Sequence, residues 1–151
     1  MLIFGGGFLK LREIMTDAVV RIRPDEPVAV AARTLTQYNI GALPVCGYDG
    51  RLKGMVTDRD MVTRCLAAER DPERTTVSQV MTSRVVSARP DMELEEAARL
   101  MGTEQIRRLP VVENGKLCGI VSLKDMVAHR TAPVQAWQAL EQISGNLSSR
   151  P

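Results

Sequence analysis

Apolar and polar positions follow two periods along this chain, and the whole pattern occurs twice. Val28, Ala31, Ala32 and Leu35 recur at i, i+3, i+4 and i+7, and Leu94, Ala97, Ala98 and Met101 repeat that spacing. The period predicts an amphipathic helix in each place, with Pro27 suited to the first turn of the first. Short runs rich in β-formers flank the helices. Ala18–Ile22 and Val85–Ala88 come before them; Ala42–Cys46 and Leu109–Val112 come after, followed by Leu52–Val56 and Lys116–Val121. Asp49-Gly50 and Asn114-Gly115 separate the last two runs of each set, a hairpin signal. Second helices are read at Asp58–Ala67 and Leu123–Arg130. The predicted order is β-α-β-β-α, twice, an α/β (α+β) fold.

Laying the chain on itself makes the duplication explicit. At an offset of 66 residues Met15-Thr16 meets Met81-Thr82, Pro24 meets Pro90, and Leu43-Pro44-Val45 meets Leu109-Pro110-Val111. One residue is lost in the next turn. At an offset of 65, Gly54-Met55-Val56-Thr57 meets Gly119-Ile120-Val121-Ser122, and Asp60-Met61-Val62 meets Asp125-Met126-Val127. A solenoid needs three or more repeats. Two copies predict similar half-domains packed face to face with pseudo-two-fold symmetry. The expected boundaries are 11–68 for the first repeat, 69–79 for a linker around Asp71-Pro72-Glu73-Arg74, and 80–130 for the second. A terminal helix is expected over 133–144, carrying Trp137, Leu140 and Ile143.

The candidate chemistry sits where the last strand of each copy enters its second helix. A glycine permits close approach of the backbone, and two apolar residues anchor the strand. Thr57 or Ser122 then stands at the helix start, beside free N–H groups and the positive dipole end. That predicts a phosphate site. Asp60 or Asp125 presents two acceptor oxygens, which suit a ribose diol. A second reading of the same residues needs no ligand. Thr-x-x-Asp and Ser-x-x-Asp are also capping boxes. Arg107-Arg108 is the best phosphate candidate by charge, against the plain alternative of a solvated turn.

The doubled pattern resembles a tandem pair of cystathionine β-synthase (CBS) domains. The resemblance is carried by Ile14-Met15-Thr16 and Val80-Met81-Thr82, by Ile40 to Val45 and Ile106 to Val111, and most strongly by Gly54 to Asp60 and Gly119 to Asp125. It covers about residues 11–130. The segment Ile40 to Ala67 is also similar to the hypoxic-response proteins of actinobacteria. The resemblance implies a stand-alone regulatory sensor, not an enzyme, that binds AMP or ATP in clefts between the repeats; S-adenosylmethionine is an alternative ligand. In one cleft Thr16, Val20, Ile40 and Gly41 would wall the base, with Ser122 and Asp125 on the ribose and phosphate. In the other, Thr82, Val86, Ile106 and Arg107 would wall the base, with Thr57 and Asp60 on the ribose and Arg108 on the phosphates. It also implies a homodimer, joined through the second helices, and an effector protein as reader. The rival reading is a ligand-free stress or hypoxia-response interaction protein whose motifs are only helix caps.

Composition narrows the alternatives. Twenty Lys+Arg against 18 Asp+Glu leave a net charge of +2, and aromatics are only 3%. Neither a general nucleic-acid surface nor a stacking platform is expected. Cys46, Cys65 and Cys118 are an odd number at wide spacing, which is neither a disulfide framework nor a zinc pattern. Cys46 and Cys118 fall on strands expected to lie next to each other, and a small enzyme or metal site using the cysteines with His129 is the remaining rival. His129, the only histidine, is read as a cation at a helix end. The opening MLIFGGGFLK is apolar but too short to span a bilayer. A packing strand or arm is expected there, and a cytoplasmic protein.

Overall fold

The computed structural model describes residues 9–129, 138 and 141–143. They divide into two compact units. One comprises Val20–Val85 with Gly115–Leu117; the other takes the described residues of Met1–Val19, Val86–Asn114 and Cys118–Pro151.

In the 20–85 unit, helix α1 (Val28–Tyr38) buries Val28, Ala31 and Leu35. Ala32 is exposed, so the stripe is narrower than the spacing suggested. Pro27 is not in the first turn. It is the N-cap, with extended backbone (φ −64°, ψ 148°). It supplies no side-chain cap, and the helix entrance is satisfied from elsewhere. The carbonyl of Thr75 accepts from Val28 N–H at 2.8 Å, and that of Pro72 from Ala29 N–H at 3.0 Å. The segment 69–79 therefore has a structural task. Its Thr75 and Val77 are buried, and Val77–Val80 forms a helical turn, α3 below.

Helix α1 ends at Asn39 in left-handed conformation (φ 52°). This turns the chain into β1 (Ala42–Cys46), which pairs antiparallel with β2 (Leu52–Thr57). Leu43 faces Val56 and Val45 faces Gly54, with an irregularity after Val45. The Ala18–Ile22 run forms no strand. It contributes a single parallel bridge, Ile22 to Val45. The expected helix Asp58–Ala67 is also modified. Helix α2 (Asp58–Met61) passes into a π-helical turn, Val62–Leu66. Thr63 Oγ1 donates to the Arg59 carbonyl at 2.8 Å at that switch, and a hydroxyl bonded back to the i−4 carbonyl loosens the helical ladder. Met61 and Cys65 still point inward, while Val62 and Leu66 are exposed. Helix α3 (Val77–Val80) closes the core with Val77 and Val80.

The second repeat follows the same scheme, with Gly115–Leu117 of its hairpin counted in the 20–85 unit. Helix α4 (Leu94–Glu104) ends at left-handed Gln105 (φ 61°), followed by β3 (Arg108–Glu113), β4 (Lys116–Ser122) and α5 (Leu123–His129). Asn114 and Gly115 both have positive φ, as a tight hairpin requires. The Val85–Ala88 run is again only a bridge, Ala88 to Val111. Leu94 N–H donates to the Leu9 carbonyl at 3.0 Å, and Leu11 and Ile14 are buried in this core. Of the expected terminal helix, Gln138 and Glu141–Ile143 are helical, and Ile143 is buried in the same core. Trp137, Leu140 and the apolar opening 1–8 lie outside the described residues.

The lead-in segments are exchanged between copies. Thr16, from the first repeat, bridges Ile120 of the second; Thr82, from the second, bridges Met55 of the first. Each unit is thus the body of one repeat with the lead-in of the other. The glycines explain how closely the lead-ins approach. A Cβ at Gly54 would stand 2.7 Å from the Thr82 carbonyl oxygen. A Cβ at Gly119 would collide with the Met15 side chain. Among the described residues, no helix is long and apolar enough to cross a membrane.

Candidate functional site

Strand β2 delivers Thr57 to the entrance of α2, and the two make a complete capping box. Asp60 N–H donates to Thr57 Oγ1 at 3.0 Å, and Thr57 N–H donates to Asp60 Oδ2 at 3.0 Å. The neighbouring amides are also taken. Asp58 N–H donates to the Gly41 carbonyl at 3.0 Å and Arg59 N–H to Asp58 Oδ1 at 2.8 Å. The entrance of α2 is therefore capped from within the chain. Its N–H donors are satisfied by the chain itself, and two carboxylates already complement the dipole.

The cap uses one oxygen of Asp60 and leaves the other directed elsewhere. Oδ1 lies 3.5 Å from Thr82 Oγ1, a hydroxyl brought by the exchanged lead-in. Asp60 is only 8% exposed, and apart from Thr75 it is the buried polar or charged residue among those described. A carboxylate is seldom buried without compensation, so the cap and this neighbouring hydroxyl matter to it. Sequence reading did not single out Arg64, whose Nη1 lies 3.9 Å from the same Oδ1. The available signal was spacing, since residues four apart share a helix face.

The other unit has the matching capping pair. Ser122 N–H donates to Asp125 Oδ2 at 3.1 Å, and Asp125 N–H donates to Ser122 Oγ at 3.0 Å. Thr16 exchanges backbone hydrogen bonds with Ile120 at 3.0 Å, two residues before Ser122. Thr57, Asp60 and Thr82 thus belong to one unit, and Thr16, Ser122 and Asp125 to the other. Val20 and Ile40 are half-buried against the core of the 20–85 unit, and Val86 and Ile106 against that of the other. The Arg107 carbonyl accepts from Leu123 N–H at 2.9 Å, the counterpart of Gly41. The side chains of Arg107 and Arg108 are exposed and make no ion pair among the described residues.

A cavity of about 290 Å³ in the 20–85 unit is lined by Arg21, Arg23, Glu26, Cys46 and Tyr48, among others. Arg23 stacks on Tyr48 at 4.8 Å, and its charge is offset by Asp25 and Glu26 at 3.5 and 3.9 Å. Cys46 and Cys118 are on strands of separate two-stranded sheets, not on adjacent strands. Burial pushes both thiols up. His129 is exposed in the last turn of α5. Among the described residues, no three His, Cys, Asp or Glu side chains are grouped to hold a metal ion.

The CBS domain profile matches residues 11–67 and 77–131. The CBS domain-containing protein YhcV of Bacillus subtilis is 42% identical over 134 residues, 89% of this chain and 94% of that protein. Hypoxic response protein 1 of Mycobacterium tuberculosis is 36% identical over 118 residues, 78% of this chain and 82% of its own length. The crystal structure of Hypoxic Response Protein I with two coordinated zinc ions superposes with a TM-score of 0.74 at 36% identity, over 80% of this chain and 98% of that one. The crystal structure of CBSX2 in complex with AMP superposes with a TM-score of 0.71 at 28% identity, over 80% of this chain and 95% of that one. With duplicated motifs, exchanged lead-ins and paired hydroxyl–aspartate caps in place, the chain belongs to the CBS-domain family and carries two CBS domains in tandem.

Proposed function

We propose that this CBS pair is a regulatory sensor that binds an adenine nucleotide of the AMP or ATP class. Asp60 carries the reading. Its Oδ2 completes the helix cap, while its buried Oδ1 stands beside the Thr82 hydroxyl. Capping alone explains the first contact but not the second. Together the carboxylate and hydroxyl offer an acceptor and a donor–acceptor to vicinal ribose hydroxyls. Asp125, Ser122 and Thr16 form the second such group. Arg107 and Arg108 are the proposed phosphate contacts, since exposed guanidiniums suit bidentate pairing with phosphate. The AMP complex of CBSX2 supports the ligand class. S-adenosylmethionine shares the adenosine part and is tested alongside.

The protein acts by differential affinity: a nucleotide that binds one packing of the two domains better shifts the chain toward it, and a partner protein reads the change. A second copy of the chain is the proposed constitutive partner, joined through the exposed Val62 and Leu66.

Thermal unfolding with AMP, ADP, ATP and S-adenosylmethionine tests the reading. A ligand at about 100 times its Kd adds about 2.7 kcal/mol, a rise of several degrees at roughly 2–4 °C per kcal/mol. The expected result is a ligand-induced rise that Asp60→Ala or Asp125→Ala diminishes. The ligand-dependent shift is compared within each variant, because losing the cap lowers the starting Tm by itself. No rise with any ligand sinks the nucleotide reading. The capping boxes, complete in both copies, then favour an interaction protein without ligand.

A further inference from the structure

Arg64 joins two parts of the 20–85 unit that are distant in sequence. Its Nη1 donates to the Val80 carbonyl at 3.1 Å and to the Met81 carbonyl at 3.0 Å. The same nitrogen stands 3.9 Å from Asp60 Oδ1. Those carbonyls lie where α3 ends and the exchanged Met81-Thr82 segment begins. One guanidinium therefore holds that segment from beneath and faces the carboxylate beside it. This use suits arginine, whose planar fork serves several acceptors at once.

The two copies differ at this position. At the offset of 65 residues, Arg64 corresponds to His129. His129 is exposed, and no hydrogen bond or ion pair joins it to Asp125 among the described residues. Among the described residues, Asp60 and the Thr82 hydroxyl are thus backed by Arg64, and no such cation stands beside Asp125.

We propose that Arg64 is the positioning residue of the Asp60 group: it sets the Met81-Thr82 segment against Asp60 and so presents Oδ1 and the Thr82 hydroxyl together to the ribose. Resting on the nucleotide reading, it follows that the two groups bind unequally, the Asp60 group more tightly. Arg64 need not touch the nucleotide.

Two readouts on the full chain test this. The first is ligand-free amide exchange at Thr82, whose N–H donates to the Met55 carbonyl at 2.8 Å. Arg64→Gln is expected to speed that exchange, with Arg64→Lys intermediate. The second is AMP affinity in a double-mutant cycle with Asp60→Asn. Arg64→Gln is expected to weaken AMP about tenfold in the wild-type background and to have no further effect once Asp60 is changed. Unchanged Thr82 exchange overturns the proposal. So does wild-type AMP affinity in Arg64→Gln, or an equal loss in both backgrounds, which marks a general structural role. If the wild-type chain binds no AMP, the nucleotide reading falls, while the exchange measurement still decides whether Arg64 holds the segment.

Discussion

Asp60 can cap a helix and still offer an oxygen to other groups because a carboxylate has two oxygens, and the fold separates their surroundings. Oδ2 meets a backbone N–H, and Oδ1 meets a hydroxyl and a guanidinium. Removing the reciprocal partner shows the cap alone. Thr57→Ala is expected to cost about 1 kcal/mol, the usual value of a lost N-cap side chain, measured by urea unfolding. The thiols of Cys46 and Cys118, one buried and one partly buried, give a second expectation. Burial raises Cys46 and Cys118 above the ordinary thiol range, which is about 8.5 when free. Between that value and the raised one, the folded chain holds more protons than the unfolded chain. These two groups therefore contribute stability fully below about pH 8.5 and lose it as pH rises. Equilibrium unfolding at pH 7.5 and 9.5 is expected to show the decrease, reduced in Cys46→Ala when each variant is compared with itself. Alkylation of Cys46 at pH 8 is expected to be slower in the folded chain than in denaturant, because the thiolate is the reactive form.

At the scale of elements, the glycines of the repeated motif mark contacts rather than turns. Gly54→Ala would drive a methyl group into the Thr82 carbonyl, a backbone atom that cannot rotate away. Gly119→Ala would meet the Met15 side chain, which is flexible. The first is expected to cost about 1–3 kcal/mol, the range for overpacking, and the second clearly less, both by chemical denaturation. Helices α1 and α4 were legible because a period of 3.6 is local to the sequence. So were the hairpins, announced by Asp49-Gly50 and Asn114-Gly115. The runs Ala18–Ile22 and Val85–Ala88 misled, since β-propensity reports fitness for a half-buried extended surface and not the presence of a pairing edge. Each contributes only one bridge. The π turn at Val62–Leu66 was illegible for another reason: its side-chain pattern still reads as helical, while the change lies in the backbone ladder.

For the whole molecule, the exposed apolar pair Val62 and Leu66, at 53% and 73% exposure, is the proposed surface for self-association. Sedimentation at about tens of micromolar is expected to show a dimer whose population is concentration-dependent. Leu66→Glu is expected to shift it to monomer without lowering the Tm of the isolated chain. A monomeric wild-type chain removes the dimer from the proposed function.

Taken alone, the sequence determined that the chain is duplicated, that each copy forms a long amphipathic helix and a hairpin, and that Thr57–Asp60 and Ser122–Asp125 sit at helix entrances. These properties follow from spacing within a few residues. Only the tertiary structure decided which lead-in serves which body. The segments around Met15-Thr16 and Met81-Thr82 carry nearly the same residues and hydrogen-bonding edges, so no local preference tells them apart. Burial of Leu11 with one core and of Val77 with the other assigns them. That assignment brings Thr82 to Asp60 and Thr16 to the strand before Ser122. The caps at the α2 entrance are local by contrast: the side chains of Thr57 and Asp58 take its amides within three residues, and only the Gly41 carbonyl comes from farther along the chain.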